Sequence, residues 1–236
     1  MTDSAGTAPE RRNFYGRVHG KTLRASQKGY LADDLGRWRL PGVTVVDNPA
    51  RGPLDLAALA GGRPVWIEVG FGGGEHLVHM AARNPGVFLI GAEPYVNGVA
   101  MLLGKIRSAG VENLALHPGD VRDLFDVLPD ACVEKVFLNY PDPWPKARHH
   151  RRRFVTPGYL AMLARVCAPG AEFRVATDIP DYVRQTLEEV PGAGFDLVAQ
   201  AGAGGAWDDW LSTRYEQKAL REGRAPHYLT FRRKQG

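Results

Sequence analysis

From Val65 onward, short apolar runs alternate with amphipathic stretches, and no other feature of the sequence restricts the fold as much. The runs are "VWIEVG" (65–70), "VFLIGAE" (87–93), "LALHPGD" (114–120), "KVFLNY" (135–140) and "EFRVAT" (172–177). Each has the length of a strand. Between them lie "EHLVHMAARN", "VNGVAMLLGKIRSAG" and "GYLAMLARVCAPG", which have helical spacing and stop at Gly or Asn. Strands alternating with helices predict a mostly parallel sheet with helices on both faces. The last two strand-like runs, "FDLVAQ" (195–200) and "HYLTFRR" (227–233), are joined by a long Gly-rich, Trp-containing connection. They read as an antiparallel edge pair that closes the sheet, with "AGAGG" (201–205) as a flexible loop.

The remainder of the chain fits that frame. Its 236 residues suffice for one large domain or two small ones. With 44% hydrophobic and 24% charged residues, composition is that of a globular protein and does not favour a disordered chain. No apolar run approaches the roughly eighteen residues of a membrane span. The N-terminal "MTDSAGTAPERRNFYGR" lacks the apolar core of a secretory signal. Cys132 and Cys167 read as reduced, buried thiols of a cytoplasmic protein. Residues 1–45 show little periodicity and are expected to form a basic, flexible arm, leaving 46–236 as the domain. Net charge is only +4, but cations cluster. Residues 11–39 hold eight Lys or Arg against two acids, 146–153 hold five against none, and 214–234 hold seven against two. Three basic segments point to a polyanionic partner, although any one alone is an ordinary solvated surface.

"IEVGFGGGEH" follows the first clear strand and opens a helix. A dinucleotide fingerprint, G-x-G-x-x-G, fails here: counted from Gly70 the last glycine falls on Glu75, and counted from Gly72 on Leu77. The spacing is E-x-G-x-G-x-G, from Glu68 through Gly70, Gly72 and Gly74. A carboxylate at that strand tip suits a cation such as an ammonium better than a pyrophosphate. Glu93 ends the second strand, where it can accept from both hydroxyls of a ribose. Asp120 follows the third, where it can accept from an exocyclic amine or simply cap "VRDLFDVL". Three acids on successive strand ends fall on one rim of the sheet. This set resembles the S-adenosylmethionine-dependent methyltransferases of the Rossmann-like type.

The fourth strand end narrows the resemblance. It reads "FLNYPDPWPK" and runs on into "ARHHRRR". With "ATD" (176–178) at the fifth strand and "TRYE" (213–216) before the last, the chain is similar to the bacterial tRNA (guanine-N7-)-methyltransferase family over roughly residues 60 to 233. "FYGRVHGKTLRASQ" resembles that family's basic arm more loosely. One departure is Asn139 and Tyr140, where many members carry plainer apolar or aromatic residues. The resemblance implies a seven-stranded Rossmann-like fold, mostly parallel with an antiparallel edge strand, and S-adenosylmethionine as cofactor. It also implies methyl transfer to N7 of a guanosine in tRNA, at position 46 of the variable loop.

The chemistry needs little from the protein beyond placement and charge. Guanine N7 carries a lone pair and no proton, so no strong general base is required. Positive charge passes from sulfur to the purine, which a nearby carboxylate stabilises. Asp142, held between Pro141 and Pro143, is the expected catalytic group and also borders the cofactor. Trp144 either anchors the loop or stacks near a base. Arg148, His149, His150, Arg151, Arg152 and Arg153 are expected to meet RNA phosphates. His149 and His150 are adjacent and point apart, so no metal site is expected. By resemblance, Lys146, Asp178, Thr213, Arg214, Tyr215 and Glu216 contact the substrate or the methionine end. Which of Asp178 and Glu216 meets the guanine stays open. Thr213 and Glu216 also have capping-box spacing. A methyltransferase for proteins or small molecules would not need three basic segments. A non-catalytic RNA-binding module would not need Glu68, Glu93, Asp120 and Asp142 together. No obligate protein partner is indicated, so the expected unit is a monomer or homodimer.

Overall fold

The computed structural model describes residues 14–235. Its strands are β1 (Val65–Val69), β2 (Phe88–Ala92), β3 (Leu114–His117), β4 (Val133–Asn139), β5 (Cys167–Thr177), β6 (Phe195–Ala201) and β7 (His227–Arg233). They form one sheet in the order β3-β2-β1-β4-β5-β7-β6. β1 to β5 pair in parallel, and β7 runs antiparallel to both β5 and β6. The antiparallel strand is therefore inserted one place inside, and β6 forms the edge. β6 is exposed along most of its length, including Leu197 and Val198.

Helices are α1 (Ala25–Asp33), α2 (Leu35–Trp38), α3 (Leu56–Ala60), α4 (Glu75–Arg83), α5 (Val96–Ala109), α6 (Val121–Val127), α7 (Pro157–Val166), α8 (Pro180–Glu189) and α9 (Arg214–Arg221). Neighbouring strand residues point to opposite faces, so Leu89 and Phe137 join the core under α4 and α5. Ile90 and Val136 join the core under α6, α7 and α8. Buried on both faces, the central strands read as continuous apolar runs. None of the helices among the described residues is long and apolar enough to cross a membrane.

Two expectations change. The helix read through "GYLAMLARVCAPG" stops at Val166, and β5 begins at Cys167, paired to Val133 across an irregularity in β4. The stretch 1–45 was expected to be a flexible arm. Residues 1–13 lie outside the described residues, but α1 and α2 are helical, and Tyr30, Leu31, Leu35 and Trp38 pack on the core beside α5. Leu40 and Val43 are buried. Ahead of α1, Val96 N donates to Val18 O (2.9 Å), and Asn97 bonds the backbone of Gly20 and Lys21. The segment thus runs over the N-terminus of α5.

The chain enters β1, moves outward to β2 and β3, then crosses back so that β4 pairs on the other side of β1. The carboxyl ends of β1 and β4 consequently flank a crevice, the position where open α/β sheets bind ligands.

Candidate active site

That crevice is a cavity of about 640 Å³. The glycine loop, the Glu93 and Asp120 turns, residues 139–145, Tyr215 and residues 14–17 line it. The glycine loop is shaped by left-handed backbone at Gly70 (φ +70°) and Gly72 (φ +55°). At Gly70 a Cβ would meet nothing within 4 Å, so that side opens onto the cavity. At Gly72 it would press on the Tyr215 ring at 3.2 Å. Both positions need glycine for their backbone, and Gly72 also for its closeness to the ring.

Glu93 ties this loop to the second strand. Its Oε2 accepts from Gly72 N (2.7 Å) and its Oε1 from Tyr95 N (2.9 Å). Burial, opposed by those two bonds and reinforced by the charges of Asp142 and Glu68, raises its pKa to about 7. The folded protein therefore holds a proton here between pH about 4.5 and 7 that the unfolded chain has released, so this group's contribution to stability falls as pH rises through that window. Denaturation from pH 5 to 8 is expected to show this slope in the wild type and a flatter one in Glu93→Gln. An unchanged slope would place the titration elsewhere.

Asp120 is a helix cap that also lies on the cavity. Its Oδ1 caps α6 by accepting from Arg122 N (2.9 Å), its Oδ2 pairs with the Arg122 guanidinium, and the residue lines the cavity.

The "PDPW" loop faces the glycine loop across the cavity. Tyr140 (φ +49°) and Trp144 (φ +40°) both adopt left-handed backbone. For residues other than glycine this costs on the order of 1–3 kcal/mol each and persists only where surroundings enforce it. Tyr140 N donates to Ala176 O (2.7 Å). At the other end Arg153 takes hold: its Nε donates to Pro143 O (2.9 Å) and its Nη2 to Trp144 O (3.4 Å). Asp142 between them reaches the cavity mouth. Crowding by the surrounding protein raises its pKa, and Arg17 opposes the shift. Arg152 lies 4.9 Å over the Trp144 ring and 4.5 Å over that of Tyr15.

Elsewhere the expected site residues separate. Glu68 is 2% exposed and lies behind the cavity wall. It meets His76 Nδ1 at 3.0 Å and accepts from Asn139 Nδ2 at 3.3 Å. Gly74 caps α4 under Leu102. Asp178 pairs with Arg224. Thr213 Oγ1 accepts from Glu216 N (3.2 Å), half of the capping box; the Glu216 carboxylate instead accepts from Trp210 Nε1 (2.9 Å) and the Tyr228 hydroxyl. Arg214 pairs with Glu75 over Gly73. Lys146, Arg148 and Arg151 are exposed on the 3₁₀ turn Ala147–Arg152 and its approach.

A family model described as "Putative methyltransferase" matches residues 62–229. A protein of Cereibacter sphaeroides named "tRNA (guanine-N(7)-)-methyltransferase" is 77% identical over 97% of this chain and 94% of its own length. One of Paracoccus denitrificans with the same name is 73% identical over 96% and 97%. The chain belongs to the tRNA (guanine-N(7)-)-methyltransferase family. Among solved structures, an antibiotic-related methyltransferase superposes with a TM-score of 0.58 at 19% identity, over 82% of this chain and 98% of its own. The 16S rRNA methyltransferase KamB does so at 0.57 and 18%, over 78% and 95%. Both share the fold.

For a chain of this family, the cavity gathers Gly70, Gly72, Glu93, Asp120, Asp142, Arg152, Arg153 and Tyr215 from the expected set. Arg153 leaves the expected RNA face: its side chain is fully buried, because the loop carbonyls and α8 consume its donors. Glu216, 4% exposed, is likewise occupied inside the protein. His150 turns to Asp181 Oδ2 at 3.2 Å. Sequence reasoning missed Arg17, which lines the same cavity as Asp142, and His76 behind Glu68. Arg17 lay in a basic segment with no periodicity to orient it. His76 carried a signal in its i+8 spacing from Glu68 across the glycine loop.

Proposed function

We propose that the protein transfers the methyl group of S-adenosylmethionine to N7 of a guanosine in tRNA, the one at position 46 of the variable loop. The observation that carries this reading is the cavity that joins the glycine loop to Asp142 beneath a basic turn. The donor supplies a sulfonium-bound methyl; the S–C bond breaks as the C–N7 bond forms, and the sulfur keeps the electron pair. No proton need leave N7.

The residues fit such a ligand. Gly70 offers open backbone to its sulfonium end, Glu93 accepts from the ribose hydroxyls, and Asp120 accepts from the adenine amine. Glu68 acts from behind the wall by fixing His76 and Asn139. Carboxylates dominate the polar lining near Gly72, and the mutual repulsion of Glu93 and Asp142 favours a cation between them. Tyr215 stands over the loop where a purine ring can stack. Asp178, Thr213, Arg214 and Glu216 shape the guanosine side, Glu216 through Trp210 and Tyr228.

The basic turn supplies the RNA grip. Lys146, Arg148 and Arg151 meet phosphates, with His149 and His150 alongside, and Arg152 sits between aromatic rings at the cavity edge. Charge reversal at Arg148 and Arg151 is expected to raise KM for tRNA and to make log K against log salt shallower by about two phosphate contacts. Cofactor affinity should stay unchanged. Unaltered tRNA binding across salt concentrations would make the pair ordinary surface. Incubation with labelled S-adenosylmethionine and unmodified tRNA tests the activity itself.

A further inference from the structure

We infer that Arg153 is a positioning residue for the methyl-transfer step, acting through the loop that carries Asp142. Its side chain is fully buried, 10 residues along the chain from the first carbonyl it holds. One edge of the guanidinium donates to the carbonyls of Pro143 (2.9 Å) and Trp144 (3.4 Å). The other meets Gln185 Oε1 (2.9 Å) and Asp181 Oδ2 (2.9 Å) on α8. Gln185 is itself fixed, since its amide donates to Val155 O at 2.9 Å.

These contacts fall at a particular place. The bond from Tyr140 N to Ala176 O anchors one end of the loop, and Arg153 anchors the other from Pro143 onward. Only Pro141 and Asp142 lie between the two anchors, and proline fixes its own φ. Trp144 would relax from its left-handed backbone without the bond to its carbonyl. Two successive carbonyls and three acceptors on a helix, the Asp181 carbonyl (3.4 Å) included, are a match for a planar five-donor fork, and an ammonium cannot reproduce it. A buried arginine with this set of partners has no donor directed at RNA. Its place in a run of cations conceals a different task from that of Arg148 and Arg151.

The inference rests on the role proposed for Asp142, and the test separates the two. Single-turnover methyl transfer on bound tRNA is measured for the wild type, Arg153→Lys, Asp142→Ala and the double variant. Arg153→Lys is expected to slow transfer by tens of fold, with tRNA affinity, its salt dependence and S-adenosylhomocysteine affinity unchanged. In the Asp142→Ala background the same substitution should cost almost nothing more, because the group being positioned is gone. Gln185→Met, which removes an acceptor behind the guanidinium and leaves Arg153 in place, should slow the reaction several-fold and keeps the test open if Arg153→Lys does not fold. A normal rate in Asp142→Ala overturns the role of Asp142 and this inference with it. A slow Asp142→Ala beside normal Arg153→Lys and Gln185→Met overturns this inference alone. So does a rate loss that multiplies fully in the double variant, or a changed salt slope, which would mark a phosphate contact.

Discussion

Asp142→Ala is expected to cut single-turnover methyl transfer on bound tRNA by about a hundredfold or more, the loss seen when a group aimed at transition-state charge is removed. The expectation follows from the direction of charge flow. As the sulfonium methyl moves to N7, positive charge arrives on the purine, and Asp142 is the carboxylate held at the cavity mouth by a loop anchored at both ends. Crowding raises its pKa and Arg17 counters the shift, so a cationic partner in the cavity would strengthen its ionised form. Folding and the binding of both substrates should suffer much less than the rate. Asp142→Asn divides the effect: a large loss assigns it to charge, a mild one to hydrogen bonding that places the base. Near-normal rates in both variants would reduce "PDPW" to a rigid turn.

Glu93→Ala should weaken S-adenosylmethionine binding by about 1–3 kcal/mol, the range for losing a charged hydrogen-bond partner. Two physical losses contribute. The proposed ribose contact loses its acceptor, and the N–H of Gly72, which Glu93 holds at 2.7 Å, is released so that the glycine loop loosens. Glu93→Gln keeps one acceptor and should lie between Ala and the wild type. With a pKa raised to about 7, the free protein carries a partly protonated Glu93 near neutrality. Cofactor affinity should therefore rise with pH through about 7 in the wild type and lose that rise in Glu93→Gln. Calorimetry showing unchanged affinity in Glu93→Ala would remove the residue from the site.

The sheet was legible because its central strands are buried on both faces and so leave unbroken apolar runs. Their carboxyl ends were legible for the same reason, which is why Glu68, Glu93 and Asp120 were read onto one rim; Glu93 and Asp120 line the cavity, whereas Glu68 turns behind its wall to His76 and Asn139. Other features depended on partners that sequence spacing does not reveal. The helix Ala25–Asp33 carries no apolar stripe; it is held by Tyr30 and Leu31 against α5, a tertiary contact with no local signature. β5 extends back through "CAPG" because β4 offers a partner at Val133, against the local reading of a helix end. Arg153 looked like its exposed neighbours, yet it borders the buried pair Phe154 and Val155 and turns inward with them. Glu216 had the spacing of a cap and only half of that geometry. Its carboxylate is drawn away by Trp210 and Tyr228, 6 and 12 residues along the chain and outside the span of a capping box.

On the proposed mechanism, this cavity holds guanine N7 of a tRNA against a bound methyl donor. Unmodified tRNA, labelled S-adenosylmethionine and the full chain, followed by nucleoside analysis, tests it directly. Label recovered as N7-methylguanosine from the variable loop, and lost in Asp142→Ala, is the predicted result. Label on another nucleoside, or none on tRNA from a folded protein that binds both substrates, would contradict it.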